Sequence, residues 1–111
     1  MKQSKKYEID DYCAIAYFGK IFNDRWKLYI VYKLLNGEKR FKELREFFEP
    51  YMTQKTLCMK LKELEEAKII DREVFTEIPP RVEYRLGNKG KELADILECI
   101  SKWGSSYTLS K

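Results

Sequence analysis

Residues 53–86 read TQKTLCMKLKELEEAKIIDREVFTEIPPRVEYRL, and the change of period inside this stretch decides the fold. Leu57, Leu61 and Leu64 recur at helical spacing up to Ala67, and the Thr53 hydroxyl can cap the free amides of the first turn. This predicts a helix over residues 53–67. From residue 69 the pattern alternates instead, rich in β-branched and aromatic residues, through Thr76. Pro79-Pro80 interrupts it, and Val82, Tyr84 and Leu86 then fall on one face of a second strand. A helix running into a two-stranded hairpin with a stiff tip is the expectation for this stretch.

Working outward, Phe41, Leu44 and Phe48 mark a short helix over residues 41–48, stopped by Pro50. Before it, residues 25–35 carry a broad apolar face (Trp26, Ile30 and Leu34, with Leu28, Val31 and Leu35 beside them), expected at the centre of the core. Asn36-Gly37 ends that helix. A first helix spans residues 11–22 through Tyr12, Ile15, Ala16, Phe18 and Phe22. A last helix spans about residues 89–103 through Leu93, Ile96, Leu97, Ile100 and Trp103, and the tail from Gly104 is expected to fray. The order helix, helix, helix, helix, strand, strand, helix is mainly α with a small β-hairpin wing (α+β): a winged helix-turn-helix, with residues 1–111 as a single domain.

Composition narrows the chemistry. Charged residues make up 36% of the chain, above the roughly 25% of an ordinary domain, so the surface is heavily charged. Lys plus Arg number 22 and Asp plus Glu 18; the resulting +4 permits a polyanionic partner without demanding one. There is no histidine, which removes Ser-His-Asp and Cys-His nucleophilic sites and histidine-ligated metals. Cys13, Cys58 and Cys99 form no CxxC pair, so a thiolate zinc ribbon is not expected either, and no metal or cofactor is predicted. No apolar run is long enough for a membrane span, and Glu8, Asp10 and Asp11 break any signal-peptide pattern. A reducing cytoplasm and a non-enzymatic role are the expectations. Gly87-Asn88-Lys89-Gly90 matches the GxxG string of an RNA-binding module, but between strand and helix a turn and cap is the simpler reading. The carboxylate pairs Asp10-Asp11 and Glu65-Glu66 read as solvated surface.

The face of the 53–67 helix opposite its leucines offers Thr53, Gln54, Lys55, Thr56, Met59 and Lys60. Gln pairs bidentately with adenine, Lys donates to guanine or phosphate, and Thr and Met can touch a thymine methyl. The same mixture suits an ordinary amphipathic surface helix, but its place between a short helix and a hairpin favours DNA reading. Pro79-Pro80-Arg81 would put a cation at the tip of a stiff wing, suited to a minor groove.

Asp24-Arg25-Trp26-Lys27-Leu28, Asn36-Gly37, Arg40-Phe41-Lys42-Glu43-Leu44, Thr53-Gln54-Lys55-Thr56-Leu57, Leu61-Lys62-Glu63-Leu64-Glu65, Glu77-Ile78-Pro79-Pro80-Arg81-Val82-Glu83-Tyr84 and Trp103-Gly104 resemble, in order, the HxlR-type (MarR-like) winged-helix regulators. The resemblance covers roughly residues 13–104. It implies a homodimer on palindromic double-stranded operator DNA, with the recognition helix in the major groove and the wing on the adjacent minor groove or backbone. It places Thr53, Gln54, Lys55 and Thr56 at the start of the recognition helix, Arg81 at the wing tip, and Arg40 and Lys42 on phosphates. Residues 11–22 and 89–107 become dimerisation helices, through Tyr12, Ile15, Leu93, Ile96, Leu97, Ile100 and Trp103. Surplus apolar stripes on terminal helices point the same way. Cys13 matches a position several family members use to sense oxidants or electrophiles, whereas Cys58 and Cys99 are expected to be semi-buried small apolar residues. The chain departs from the family pattern at Met59, at Lys68 where a glycine is usual, and in a link before Thr53 that is one residue longer. The competing reading is a winged-helix module that binds protein rather than DNA.

Overall fold

The computed structural model describes residues 13–108. Its elements are α1 (Ala14–Ile21), α2 (Arg25–Lys33), β1 (Lys39–Arg40), α3 (Phe41–Phe48), α4 (Gln54–Glu66), β2 (Ile70–Phe75), β3 (Arg81–Leu86) and α5 (Asn88–Ser105). The mainly helical winged helix-turn-helix is as expected, with one addition. The sequence announces two strands, but the sheet has three in the order β1-β3-β2, because Lys39 and Arg40 pair antiparallel with Tyr84 and Glu83. Two residues are too short to show a period, so β1 leaves no mark in the hydropathy pattern.

The helix-turn-helix follows from its caps. Asp24 caps α2 by accepting the Lys27 backbone N–H at 3.0 Å. Thr53 caps α4 by accepting the Thr56 N–H at 3.2 Å. At the far end of α4, Lys68 adopts a left-handed φ of 67°, the Ile69 N–H donates to the Leu64 carbonyl, and the Lys68 N–H donates to the Glu65 carbonyl. That is the two-bond Schellman ending, in which glycine is the relaxed residue. Lysine at the family's glycine position therefore stands in a conformation that opposes its Cβ.

One core joins the elements: Ile30, Val31 and Leu34 of the α2 segment, Leu44 and Phe48 of α3, Leu57, Leu61 and Leu64 of α4, with Ile69, Ile70, Tyr84, Leu86 and Leu97. Trp26, expected on the central stripe, is only half-buried and stacks at the core's margin with Tyr29 and Tyr51. Gly90 explains the GxxG string: a Cβ there would lie 2.2 Å from the Ile69 carbonyl oxygen, so α5 approaches the start of β2 only through glycine.

The terminal helices divide the expected interface residues. Asp11 and Tyr12, the first two positions of the expected helix over residues 11–22, lie outside the described residues. In α1, Ile15 is 78% exposed, while Phe18 and Ile21 pack on the core. In α5, Leu97 is buried in this chain's own core, which corrects its assignment to a subunit interface, while the half-buried Leu93 packs against that core. With about 100° between successive helical residues, Leu93 and Leu97 point inward with Gly90. Ile96, Ile100, Trp103 and Tyr107 form a second, exposed stripe beside them. The helix runs on to Ser105, so the tail expected to fray is helical for its first two residues. Cys58 and Cys99 are exposed, correcting their expected burial: both fall on the outer faces of their helices.

Candidate nucleic-acid interface

The α4 face opposite Leu57, Leu61 and Leu64 is open to solvent. Gln54, Lys55 and Met59 are exposed there, together with Cys58 and Lys62. Neither Gln54 nor Lys55 is tied to another described residue by a hydrogen bond or ion pair, so their donors are available. Thr53 and Thr56 are partly engaged: besides the capping bond, the Thr53 hydroxyl donates to Thr56 Oγ1 at 3.1 Å. Their methyl groups and remaining lone pairs flank Gln54 at the helix start.

Arg40 and Lys42 are exposed at the junction of β1 and α3. The Arg40 backbone N–H donates to Glu43 Oε1 at 2.8 Å, which fixes the first turn of α3 and leaves both cationic side chains facing solvent.

Two expected DNA contacts are otherwise employed. Lys60 Nζ donates to Asp24 Oδ2 at 2.7 Å, tying α4 to the N-cap of α2, with only 17% of its side chain exposed. Arg81 does not sit at the wing tip. It opens β3, paired with Phe75, and its guanidinium lies 2.6 Å from Glu77 and 3.0 Å from Glu83 while stacking over the Phe75 ring at 4.0 Å. The tip itself is Ile78-Pro79-Pro80, all exposed. A cation flanked by two carboxylates and an aromatic ring is neutralised locally, and its pair with Glu77 closes the loop beneath it.

The residues that hold α4 in place include one the sequence reading passed over. Lys27 is 4% exposed, and its ammonium donates to the Ile21 carbonyl at 3.2 Å and to Asn23 Oδ1 at 3.3 Å, and pairs with Glu63 Oε1 at 2.5 Å. It thus knots the end of α1, the head of α2 and the last turn of α4. A signal was present: Lys27, Ile30, Val31 and Leu34 stand at i, i+3, i+4 and i+7 on the buried face. Asp24 belongs to the same knot. Burial pushes its carboxyl pKa up, but the Lys60 ammonium and the Lys27 backbone N–H more than offset that and hold it below the ordinary 3.8.

Cys13 is the residue before the first turn of α1 and is partly exposed. Among the described residues no group of three acidic, cysteine or histidine side chains is arranged to hold a metal, and no helix is long and apolar enough to cross a membrane.

The profile of the HxlR-like helix-turn-helix family matches residues 21–111. The chain is 37% identical over 103 residues to the uncharacterized HTH-type transcriptional regulator YdeP of Bacillus subtilis (strain 168), covering 91% of this chain and 80% of that relative. Among solved structures, the redox regulator HypR in its oxidized form superimposes with a TM-score of 0.78 at 35% identity, covering 88% of this chain and all of that one. The reduced transcriptional regulator YodB of B. subtilis gives 0.72 at 33% identity, covering 90% and 95%. Matched in profile, relatives and fold over most of its length, the chain belongs to the HxlR-like helix-turn-helix family.

Proposed function

We propose that the protein is a dimeric, sequence-specific DNA-binding transcriptional regulator. The observation that carries this reading is the α4 start: Gln54 and Lys55 stand exposed and unengaged on a helix fixed by the Thr53 cap, beside the free cations Arg40 and Lys42. Gln54 and Lys55 read base edges, Met59 offers an apolar contact to a thymine methyl, and Arg40 and Lys42 bind phosphate. Lys60 and Arg81 act indirectly, one orienting α4 and the other bracing the wing.

The exposed stripe of Ile96, Ile100, Trp103 and Tyr107, with Ile15 of α1, supports a two-fold subunit interface. A two-fold dimer places its recognition helices about 34 Å apart, which calls for a palindrome with half-sites about 10 base pairs apart. Cys13, at the head of α1, is the thiol through which oxidants or electrophiles would reach the dimer. HypR, a redox regulator of the same fold, supports this assignment.

Selection of bound sequences from a random duplex pool, with the solution mass of the reduced protein measured alongside, tests the reading. An enriched palindrome bound by a dimer is the expected result. Gln54→Ala should then weaken binding by about 1–3 kcal/mol and relax base preference at one position. Arg40→Ala should weaken all sequences alike and shallow the salt dependence by about one unit. Weak, salt-sensitive binding without enrichment would instead favour a protein-binding winged helix.

A further inference from the structure

The wing carries at its tip not a cation but a bare isoleucine. Ile78 is fully exposed (101%), and Pro79 and Pro80 beside it are exposed as well. Single exposed apolar residues are common on protein surfaces; the setting of this one is what distinguishes it. The loop between Phe75 and Arg81 is closed by the Arg81–Glu77 ion pair, and two consecutive prolines fix their own φ angles. A protruding apolar residue is therefore held on a short, braced loop, which loses little freedom on binding.

The charges around the tip favour DNA. Glu77 and Glu83 would repel phosphates, but the Arg81 guanidinium lies against both. Ile78, Pro79 and Pro80 line a cleft of about 360 Å³ together with Arg40, Phe41 and Lys42, and with the Glu77–Arg81 pair and Val82 at its other wall. An apolar point thus stands next to two cations, and both cations face solvent. Apolar side chains carried into a minor groove beside phosphate-binding cations unstack a base step and kink the duplex.

We infer that Ile78, backed by Pro79 and Pro80, is an apolar wedge that enters the minor groove flanking each half-site and bends the DNA, while Arg40 and Lys42 hold the phosphates beside it. The inference rests on the DNA-binding reading above. It makes the wing a sensor of duplex deformability. Pyrimidine–purine steps, which open most easily, are preferred under the tip although no side chain reads their bases.

The test uses the full-length protein and an end-labelled duplex carrying the selected palindrome, with either TpA or ApA under the wing. Fluorescence transfer between the ends reports the bend, and titration reports the affinity. The wild type and Ile78→Leu should bend the duplex by at least about 20° and prefer TpA. Ile78→Ser should lose most of the bend and the TpA preference, and roughly tenfold in affinity, since part of an isoleucine no longer leaves water. Its salt dependence should not change, because no charge has been removed. An Ile78→Ser protein that bends, discriminates and binds like the wild type would refute the wedge. If Gln54→Ala still weakens binding in that case, the wedge alone falls and DNA reading stands. If the wild type binds no duplex, both fall together.

Discussion

Replacing the half-exposed Glu63 with glutamine should destabilise the fold more than replacing its buried partner Lys27 with methionine. The asymmetry follows from which partner has left water. The Lys27 side chain is 5% exposed and that of Glu63 51%, so the ammonium bears most of the desolvation cost. Glu63→Gln leaves that ammonium buried with neutral acceptors only, the Ile21 carbonyl, Asn23 Oδ1 and the introduced amide oxygen. Orphaning a fully buried charge costs about 3–5 kcal/mol. These neutral acceptors, and the solvent that already screens Glu63, reduce this to about 1–3 kcal/mol. Lys27→Met removes the ammonium and its desolvation together and keeps a stem of similar volume. It leaves the Ile21 carbonyl short of one donor, while exposed Asn23 can turn to water, a net cost of about 0–1 kcal/mol. The double variant should match Lys27→Met alone within about 0.5 kcal/mol, because no buried charge remains for Glu63 to neutralise. Urea unfolding at one fixed protomer concentration measures all four proteins. A Lys27→Met protein less stable than Glu63→Gln, or single-variant losses that simply add in the double, would refute the reasoning.

The remaining expectations concern the end of α4, the α2 cap and the terminal helices. Lys68→Gly should raise stability by about 1 kcal/mol in the same unfolding assay, since it relieves a Cβ held at a left-handed φ of 67°. Asp24 has a pKa lowered in the folded state, so its contribution is present above the ordinary carboxylate value of 3.8 and is lost as pH falls through the lower folded value. Asp24→Asn should accordingly flatten the acid limb of the stability–pH profile below about pH 4, and leave its slope near neutrality unchanged. Trp103→Glu, at a side chain 70% exposed, should convert the proposed dimer to monomer by light scattering while the far-ultraviolet circular dichroism stays the same.

What could be read from the chain and what could not divide along a physical line. Elements marked by local chemistry were legible: the Thr53 cap, the stop at Pro50, the leucines of α4 and the alternation of Val82, Tyr84 and Leu86 all fell where expected. The stripe on α5 was legible as apolar but not as two stripes, because which side meets the core depends on where β2 and β3 lie. Leu97 therefore looked like an interface residue and is a core residue. Lys27 stands on the buried face by spacing, but a lysine is buried only where acceptors meet its charge, and the Ile21 carbonyl, Asn23 and Glu63 come together there only in the fold.

The same division governs the candidate DNA contacts. Whether a lysine or arginine is free to meet a phosphate depends on whether a carboxylate already faces it, and that partner is often distant in sequence. Lys60 is taken by Asp24, 36 residues away and across an inter-helix contact. Arg81 is taken by Glu77 and Glu83, which are near in sequence but reach it only because strand register places Arg81 opposite Phe75 rather than at the tip. Arg40, Lys42 and Lys55 keep their charge facing solvent. With 18 acidic residues against 22 basic ones, the +4 of the whole chain is the wrong guide to its DNA-facing surface. Local pairing decides which cations remain, and Lys55 beside Gln54 and Arg40 and Lys42 near the wing are among those it leaves exposed. On the proposed reading, base contacts fall to few side chains, and the wedge at Ile78 would draw part of the specificity from the shape of the duplex.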